Sequence, residues 1–263
     1  MSSATEKEDE LGSGSKVGVV NVFDLPFEDW SIRDSTTEEM AELLNHGGVT
    51  LAEALHIKDK LLDVVSNHTE AAAHMLRKRW NNALENHVER SLDESVEYRN
   101  LIALMPEHVP AALDAYQGSF SQHDPKLADQ AIRAHGVLLA EGQVLFHGGY
   151  WPTNEQSFVT SRPFSTSFCP QVALRNAEWK GKAYDAGRVD LMVVRVNEPT
   201  TKAFVYRREG DHGNEKEVVF ANGARLSRVR ETRIADATVT KADSRYQSQQ
   251  KVVPAYVIEV EVS

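Results

Sequence analysis

The sequence predicts an α+β protein in which a mainly helical region, residues 16–140, precedes a strand-rich region, residues 141–263. Two observations lead to this prediction. Before Gly142, apolar residues recur at helical spacing behind N-cap patterns; after it, they cluster in short β-branched and aromatic runs. Chains that place helices first and strands afterwards form α+β folds with an antiparallel or mixed sheet, unlike doubly wound chains.

The composition is that of a globular protein with an acidic excess. Of 263 residues, 41% are hydrophobic and 26% are charged, and the formal net charge is -10. This charge argues against nucleic acid and membranes as partners, because both attract basic surfaces. The single cysteine, Cys169, excludes an intramolecular disulfide and a cysteine-rich metal site, and no histidine pair forms a His-Glu-x-x-His motif. We therefore predict no metal site.

The first 15 residues are polar and charged, and we expect them to form a disordered leader. They contain no apolar signal-peptide core, and no apolar run approaches the ~18 residues of a membrane span. We expect a protein of the cytoplasm, or one secreted into the cytosol of a host cell, with neither a cleaved signal peptide nor a transmembrane segment.

Helix signals follow one another through the first region, after an apolar run at Val17–Val22 that is typical of a strand. They lie at Thr50–Glu53, Thr69, Ser91–Glu94, Pro110 and Pro125. The first signal is a Thr-x-x-Glu capping box, and it predicts a helix whose apolar stripe runs to Val65.

The second region contains strand candidates and one predicted helix, Pro170–Trp179. The candidates are Val144–Phe146, Phe164–Phe168, Val189–Val196, Lys202–Tyr206, Glu217–Phe220, Leu226–Arg230 and Tyr256–Val262.

Two glutamates, Glu215 and Glu217, stand at a junction between a glycine-containing loop and the run Val218–Phe220. If a strand begins at Glu215, its period of two places both carboxylates on the same side. Such a pair suits acid–base or electrostatic chemistry, although charges at a solvated strand edge are the alternative interpretation.

Two upstream segments carry polar residues inside strand-like runs. Gln143–Tyr150 ends in a His-Gly-Gly corner at 147–149, and Arg162–Phe168 contains a Ser-Thr-Ser core at 165–167. Together with the Glu-X-Glu segment, and in this order, these motifs resemble those of the mono-ADP-ribosyltransferase superfamily. The resemblance covers roughly Val137 to the C-terminus, and it implies a split β-sandwich around a cleft for NAD.

The resemblance also implies three catalytic residues. In the superfamily the second glutamate of Glu-X-Glu, here Glu217, stabilises the oxocarbenium-like state in which NAD loses nicotinamide. A glutamate at the first position accompanies arginine acceptors, so Glu215 would orient a guanidinium and take its proton. Ser165 would donate a hydrogen bond that fixes the Glu217 side chain.

The residues predicted to bind NAD are His147, Gly148, Thr166, Ser167, Arg162 and Arg188. His147 departs from the pattern, because the Ser-Thr-Ser branch of the superfamily has arginine there, yet a neutral imidazole can bond to a ribose hydroxyl. Gly148 would offer its backbone to the nicotinamide carboxamide. The two arginines would meet the phosphate charge.

These motifs favour an NAD-dependent mono-ADP-ribosyltransferase, a bacterial effector or toxin or a phage enzyme, that modifies a protein arginine with NAD as its substrate. Two alternatives are a non-catalytic binding module of the same fold, suggested by His147, and an NAD glycohydrolase that transfers the sugar to water. We expect the helical region to position the target or a host activator and to be dispensable for NAD hydrolysis.

Overall fold

The computed structural model describes residues 17–119, 123–152, 154–209, 213–242 and 247–263, and the predicted leader, residues 1–15, lies outside them. The helices in these ranges are α1 (Thr37–His46), α2 (Leu51–Ala54), α3 (His68–Lys78), α4 (Asn82–Glu94), α5 (Val96–Ala103), α6 (Ala111–Ser119), α7 (Pro125–His135), α8 (Pro170–Glu178) and α9 (Lys182–Ala186). Short 3₁₀ turns span Trp179–Gly181 and Gly213–Glu215. None of these helices has the length and apolar character that a bilayer span needs.

The strands in the same ranges are β1 (Phe27–Asp34), β2 (His56–Val65), β3 (Val144–Gly149), β4 (Ser157–Val159), β5 (Phe164–Ser167), β6 (Val189–Val196), β7 (Ala203–Val205), β8 (Glu217–Phe220), β9 (Arg225–Ala242) and β10 (Ser248–Val262). Helices dominate before β3 and strands after it. The predicted α+β class is confirmed.

Eight strands form one sheet in the order β4-β9-β10-β6-β3-β5-β8-β7. Only β10 and β6 run parallel; the other neighbouring strands described in this sheet are antiparallel. Its five-stranded and three-stranded parts meet between β3 and β5, where one residue pair, Phe146 with Ser167, is in register. The sheet is therefore split at the strands that carry the His-Gly-Gly and Ser-Thr-Ser motifs.

The largest departure from the sequence prediction is a second sheet of two antiparallel strands, β1 and β2. The capping box at Thr50 forms, with Thr50 and Glu53 exchanging hydrogen bonds, but the helix that it starts ends at Ala54. The predicted helical stripe to Val65 is wrong, because pairing with β1 overrides the local helix signal.

Smaller corrections concern the first segment and the caps. Val17–Val22 contains no strand; instead, the amide side chain of Gln143 exchanges hydrogen bonds of 2.8 and 2.9 Å with the Val20 backbone. The helix predicted from Thr69 breaks at Arg79, whose φ of 68° is left-handed, and continues as α4. The cap of α5 is Ser95, not Ser91.

The helical and strand regions share one hydrophobic core. The ring of His68 lies 5.4 Å from that of Phe146, and the ring of Tyr98 meets Phe168 edge-on at 5.6 Å. The two regions therefore pack against each other directly. The division near residue 140 into a helical region and a catalytic domain stays a prediction.

Candidate active site

Glu217 begins β8, and both oxygens of its carboxylate accept hydrogen bonds. Ser165 donates to Oε1, and the Gln117 amide donates to Oε2 at 2.8 Å. Burial, helped by the nearby charge of Glu215, raises the Glu217 pKa to about 7, although both donors favour the ionised form. This carboxyl therefore gains and loses its proton near neutral pH.

The antiparallel pairing of β5 with β8 explains how the serines reach this turn. Ser167 lies opposite Glu217, and Ser165, two residues earlier, projects on the same face. The Ser167 hydroxyl donates to the Glu215 carbonyl at 2.6 Å, and the Thr166 hydroxyl donates to the Val218 carbonyl at 2.7 Å. One hydroxyl of the Ser-Thr-Ser motif thus holds the carboxylate, and the other two hold the neighbouring backbone.

The chain around Glu215 is a turn and not the start of a strand. Glu215 ends the 3₁₀ turn, and Lys216 has a left-handed φ of 50°, so the period-two argument for the two glutamates is wrong. The charge of Glu215 nevertheless helps to raise the Glu217 pKa. The turn, and not strand alternation, sets the position of Glu215 relative to Glu217.

Lys216, the middle residue of Glu-X-Glu, anchors this turn to α4. Its side chain is buried, and its ammonium lies 2.9 Å from Glu89, 3.5 Å from Glu85 and 2.9 Å from the Asn214 carbonyl. A buried lysine needs such partners, because an unpaired buried charge is costly. The ammonium therefore ties the turn between the two glutamates to the helical region.

His147 lies on β3 beside the Ser-Thr-Ser strand. Its Nδ1 is 2.6 Å from the Ser165 carbonyl, which can only accept, so Nδ1 carries the proton and Nε2 is left as an acceptor. Burial, with smaller effects of Lys182 and Arg162, lowers the His147 pKa to about 4. The imidazole is neutral at physiological pH, and its ring packs 4.5 Å from that of Phe164.

Gly148 faces the opposite side of β3 and touches α8. A Cβ placed there would lie 1.6 Å from the Ala173 carbonyl oxygen, so only glycine allows this close approach. This packing accounts for the glycine. Its predicted contact with a nicotinamide carboxamide stays a prediction.

The arginines predicted to meet phosphate differ in their surroundings. Arg162 is exposed and lies close enough to His147 and Lys182 to lower the pKa of each. Arg188 is held by Asp190 at 2.5 Å and Glu231 at 3.2 Å. Of the two arginines, Arg162 is therefore the better placed beside His147.

Gln117, Lys182 and Lys216 are not among the site residues predicted from the sequence. Lys182 opens α9 and adds a second positive charge near His147; Gln117 comes from α6, a hundred residues before Glu217. Lys216 is the middle residue of the Glu-X-Glu motif, so its position could have drawn attention to it. No sequence pattern indicates that Gln117 or Lys182 lies near the site.

No protein-family model matches the sequence, and no curated protein matches it. The similar solved structures include bacterial toxins. The enzymatic component C2-I of the C2 toxin from Clostridium botulinum is 11% identical, with a TM-score of 0.37, over 62% of this chain and 45% of that one. The present chain thus spans less than half of C2-I.

Two further structures are similar over more of their length. Exoenzyme S from Pseudomonas aeruginosa, in complex with human 14-3-3 protein beta and bound to carba-NAD, is 16% identical, with a TM-score of 0.34, over 73% of this chain and 88% of that one. Vis toxin, an ADP-ribosyltransferase from Vibrio splendidus, is 14% identical, with a TM-score of 0.31, over 88% of each chain. Likenesses at this level carry no conclusion about the site.

Proposed function

We propose that the protein is an NAD-dependent mono-ADP-ribosyltransferase that modifies a protein side chain, with arginine as the acceptor. The observation that carries the proposal is the Glu217 carboxylate, held on one oxygen by Ser165 and on the other by Gln117. Ser165 also accepts, through its carbonyl, from Nδ1 of a neutral His147 on the neighbouring strand. A carboxylate fixed in this way suits a sugar whose positive charge develops only in the transition state.

In the proposed reaction, the bond between the ribose C1′ and the nicotinamide nitrogen breaks, and its electron pair leaves with nicotinamide. The ribose then carries oxocarbenium-like positive charge, which ionised Glu217 stabilises. With a pKa of about 7, this carboxyl is ionised in about half of the molecules at neutral pH and in nearly all at pH 9. The rate should therefore rise with pH across this range.

Glu215 would act on the acceptor. An arginine nitrogen attacks C1′, and the proton that it loses passes to Glu215 as the new bond forms. Prior deprotonation of a guanidinium at neutral pH would cost about 9 kcal/mol, given its pKa of about 13.8, so the proton must leave during bond formation.

The remaining candidate residues would bind NAD. His147 Nε2, the acceptor nitrogen, suits a ribose hydroxyl, and the charges of Arg162 and Lys182 near this ring suit the diphosphate. Arg188 would contribute only if its guanidinium left Asp190 and Glu231.

The proposal is tested by incubating the protein with NAD labelled in its adenylate half, together with agmatine or arginine-containing proteins. We expect labelled acceptor and free nicotinamide in equal amounts. Nicotinamide release without labelled acceptor would instead indicate an NAD glycohydrolase. No turnover at high protein concentration, with NAD binding undetectable by calorimetry, would overturn the proposal and favour the binding module. Screening lysates of candidate host cells for a labelled protein would then test the proposed effector role and a host activator.

A further inference from the structure

The hydrogen bond from Gln117 to Glu217 joins the two regions of the chain at the proposed catalytic group. Ser165, the donor to the other carboxylate oxygen, comes from the adjacent strand, as the motif predicts. Gln117 comes from α6, and its amide nitrogen lies 2.8 Å from Oε2. Each oxygen of the carboxylate is thus held from a different region.

The chain segment that follows β7 holds α6 in place, so the position from which Gln117 reaches Glu217 is fixed. The Tyr206 hydroxyl donates to the Leu113 carbonyl in α6 at 3.1 Å. Next to it, Arg207 donates to the carbonyls of Ile102 in α5 and of Met105 and Pro106 between α5 and α6, at 3.2 to 3.3 Å. Because β7 pairs with β8, the same strand pair supports both ends of the hydrogen bond.

The groups around Glu217 disfavour its ionised form, so a hydrogen-bond donor on each carboxylate oxygen is needed to compensate. The charge of Glu215 in the turn raises the Glu217 pKa. The charge of Glu217 in turn raises the pKa values of Tyr116 in α6 and of Tyr206. The charge of Arg162, two residues before β5, lowers the Tyr116 pKa. A carboxylate buried beside a like charge loses ionisation and a fixed orientation unless donors compensate.

Resting on the function proposed above, we propose that Gln117 is a positioning residue for Glu217: its amide fixes the second carboxylate oxygen and, by donating to it, favours the ionised form of this group. The helical region then takes part in NAD cleavage, although it supplies none of the groups proposed to react.

The test compares Gln117→Leu and the shorter Gln117→Asn with wild type in the full chain. Gln130→Leu, at an exposed position of α7, is the matched control. The ¹³C-carboxyl NMR signal of Glu217, assigned by its loss in Glu217→Gln, is titrated in each protein. We expect the Glu217 pKa to rise by about one unit in Gln117→Leu, less in Gln117→Asn, and not at all in the control.

The same proteins are assayed for nicotinamide release between pH 6 and pH 9. With a pKa one unit higher, kcat of Gln117→Leu should fall about tenfold at pH 6 and much less at pH 9, with KM for NAD unchanged. A merely structural role would lower kcat equally at all pH values.

The outcomes separate the two proposals. An unchanged Glu217 pKa and pH profile in folded Gln117→Leu and Gln117→Asn would overturn the positioning role, whatever the activity. Absence of nicotinamide release from wild type would overturn the proposed function, while the NMR titration still decides whether Gln117 controls the ionisation of Glu217.

Discussion

The helical region, residues 16–140, and the strand region, residues 141–263, contribute to the candidate site in different ways. The strand region carries Glu215 and Glu217, together with His147 and the three hydroxyls that bond around them. The helical region carries the partners that hold them: Gln117 on one carboxylate, and Glu85 and Glu89 around Lys216. In the proposed mechanism, the strand region supplies the reacting groups, and the helical region adds contacts that help to fix their positions.

This difference argues against treating the helical region as a detachable recognition module. From the sequence, the helical region is expected to be dispensable for NAD hydrolysis, whereas its hydrogen bond to Glu217 and the shared core lead to the opposite expectation. The comparison is tested by perturbing each region and measuring the effect on the other.

The largest expected effect on stability follows from Leu84→Ala in α4. Leu84 is fully buried, and removing its side chain should lower the free energy of unfolding by 2 to 5 kcal/mol, about the range for such cavities. Because the core is continuous, amide hydrogen exchange should accelerate in α4 and β6 together. Leu104→Ala, at an exposed position, is the control, with a change below about 0.5 kcal/mol. Loss of protection in α4 alone would show that the regions unfold separately.

The next effect concerns the pH dependence of stability. Burial raises the Glu217 pKa from 4.5 to about 7, so between these values the folded state holds a proton that the unfolded state releases. Stability from this group is therefore present below pH 4.5 and is lost as the pH rises to 7. Glu217→Gln removes this dependence, and at pH 8 the variant should be more stable than wild type, on the order of 2 kcal/mol.

Urea unfolding of both proteins at pH 4.5, 6 and 8 measures this difference. The half-buried imidazoles of His147 and His68, whose pKa values are lowered to about 4, act in the opposite direction, but they are common to both proteins and cancel. A stability difference that does not change with pH would contradict the raised Glu217 pKa.

A smaller effect is expected from Lys216→Met, which removes the ammonium and keeps the side-chain length and the left-handed backbone. Loss of a partner from a fully buried ion pair costs about 3 to 5 kcal/mol. Here Glu89 is 43% exposed and Glu85 keeps Arg175, so we expect a loss of about 1 to 2 kcal/mol in the free energy of unfolding. Lys126→Met, exposed on α7, should change stability by less than about 0.5 kcal/mol. Equal effects of the two variants in urea unfolding would show that the anchor to α4 contributes nothing.

Burial also separates the parts of the fold that the sequence predicts from those that it does not. The bounds of β6 and β8 agree with the prediction, because most of their side chains are buried apolar groups in one run. The exposed strand β2 mixes leucines with charged residues, and its pairing with β1 decides its structure. Local pattern cannot predict such pairing.

The same reasoning applies to the site. The hydrogen bond from Ser165 to Glu217 joins two recognisable motifs on neighbouring strands, and the resemblance of these motifs to a known superfamily implies it. The left-handed turn at Lys216 and the contact of Gln117 depend on packing between the two regions. A lone glutamine in a helix carries no signal of its eventual partner.

The central claim is the division of labour between the two glutamates, and one assay with two readouts tests it most directly. Nicotinamide release and label transfer to an arginine acceptor are measured for wild type, Glu217→Gln and Glu215→Gln, each checked for a native fold by circular dichroism. Glu217→Gln should lower both rates by about 10²- to 10³-fold, because it removes the charge that stabilises the transition state. Glu215→Gln should abolish transfer and leave much of the hydrolysis. Equal loss of both rates in the two variants would contradict the division of labour, and wild-type rates in both would place the active site elsewhere in the chain.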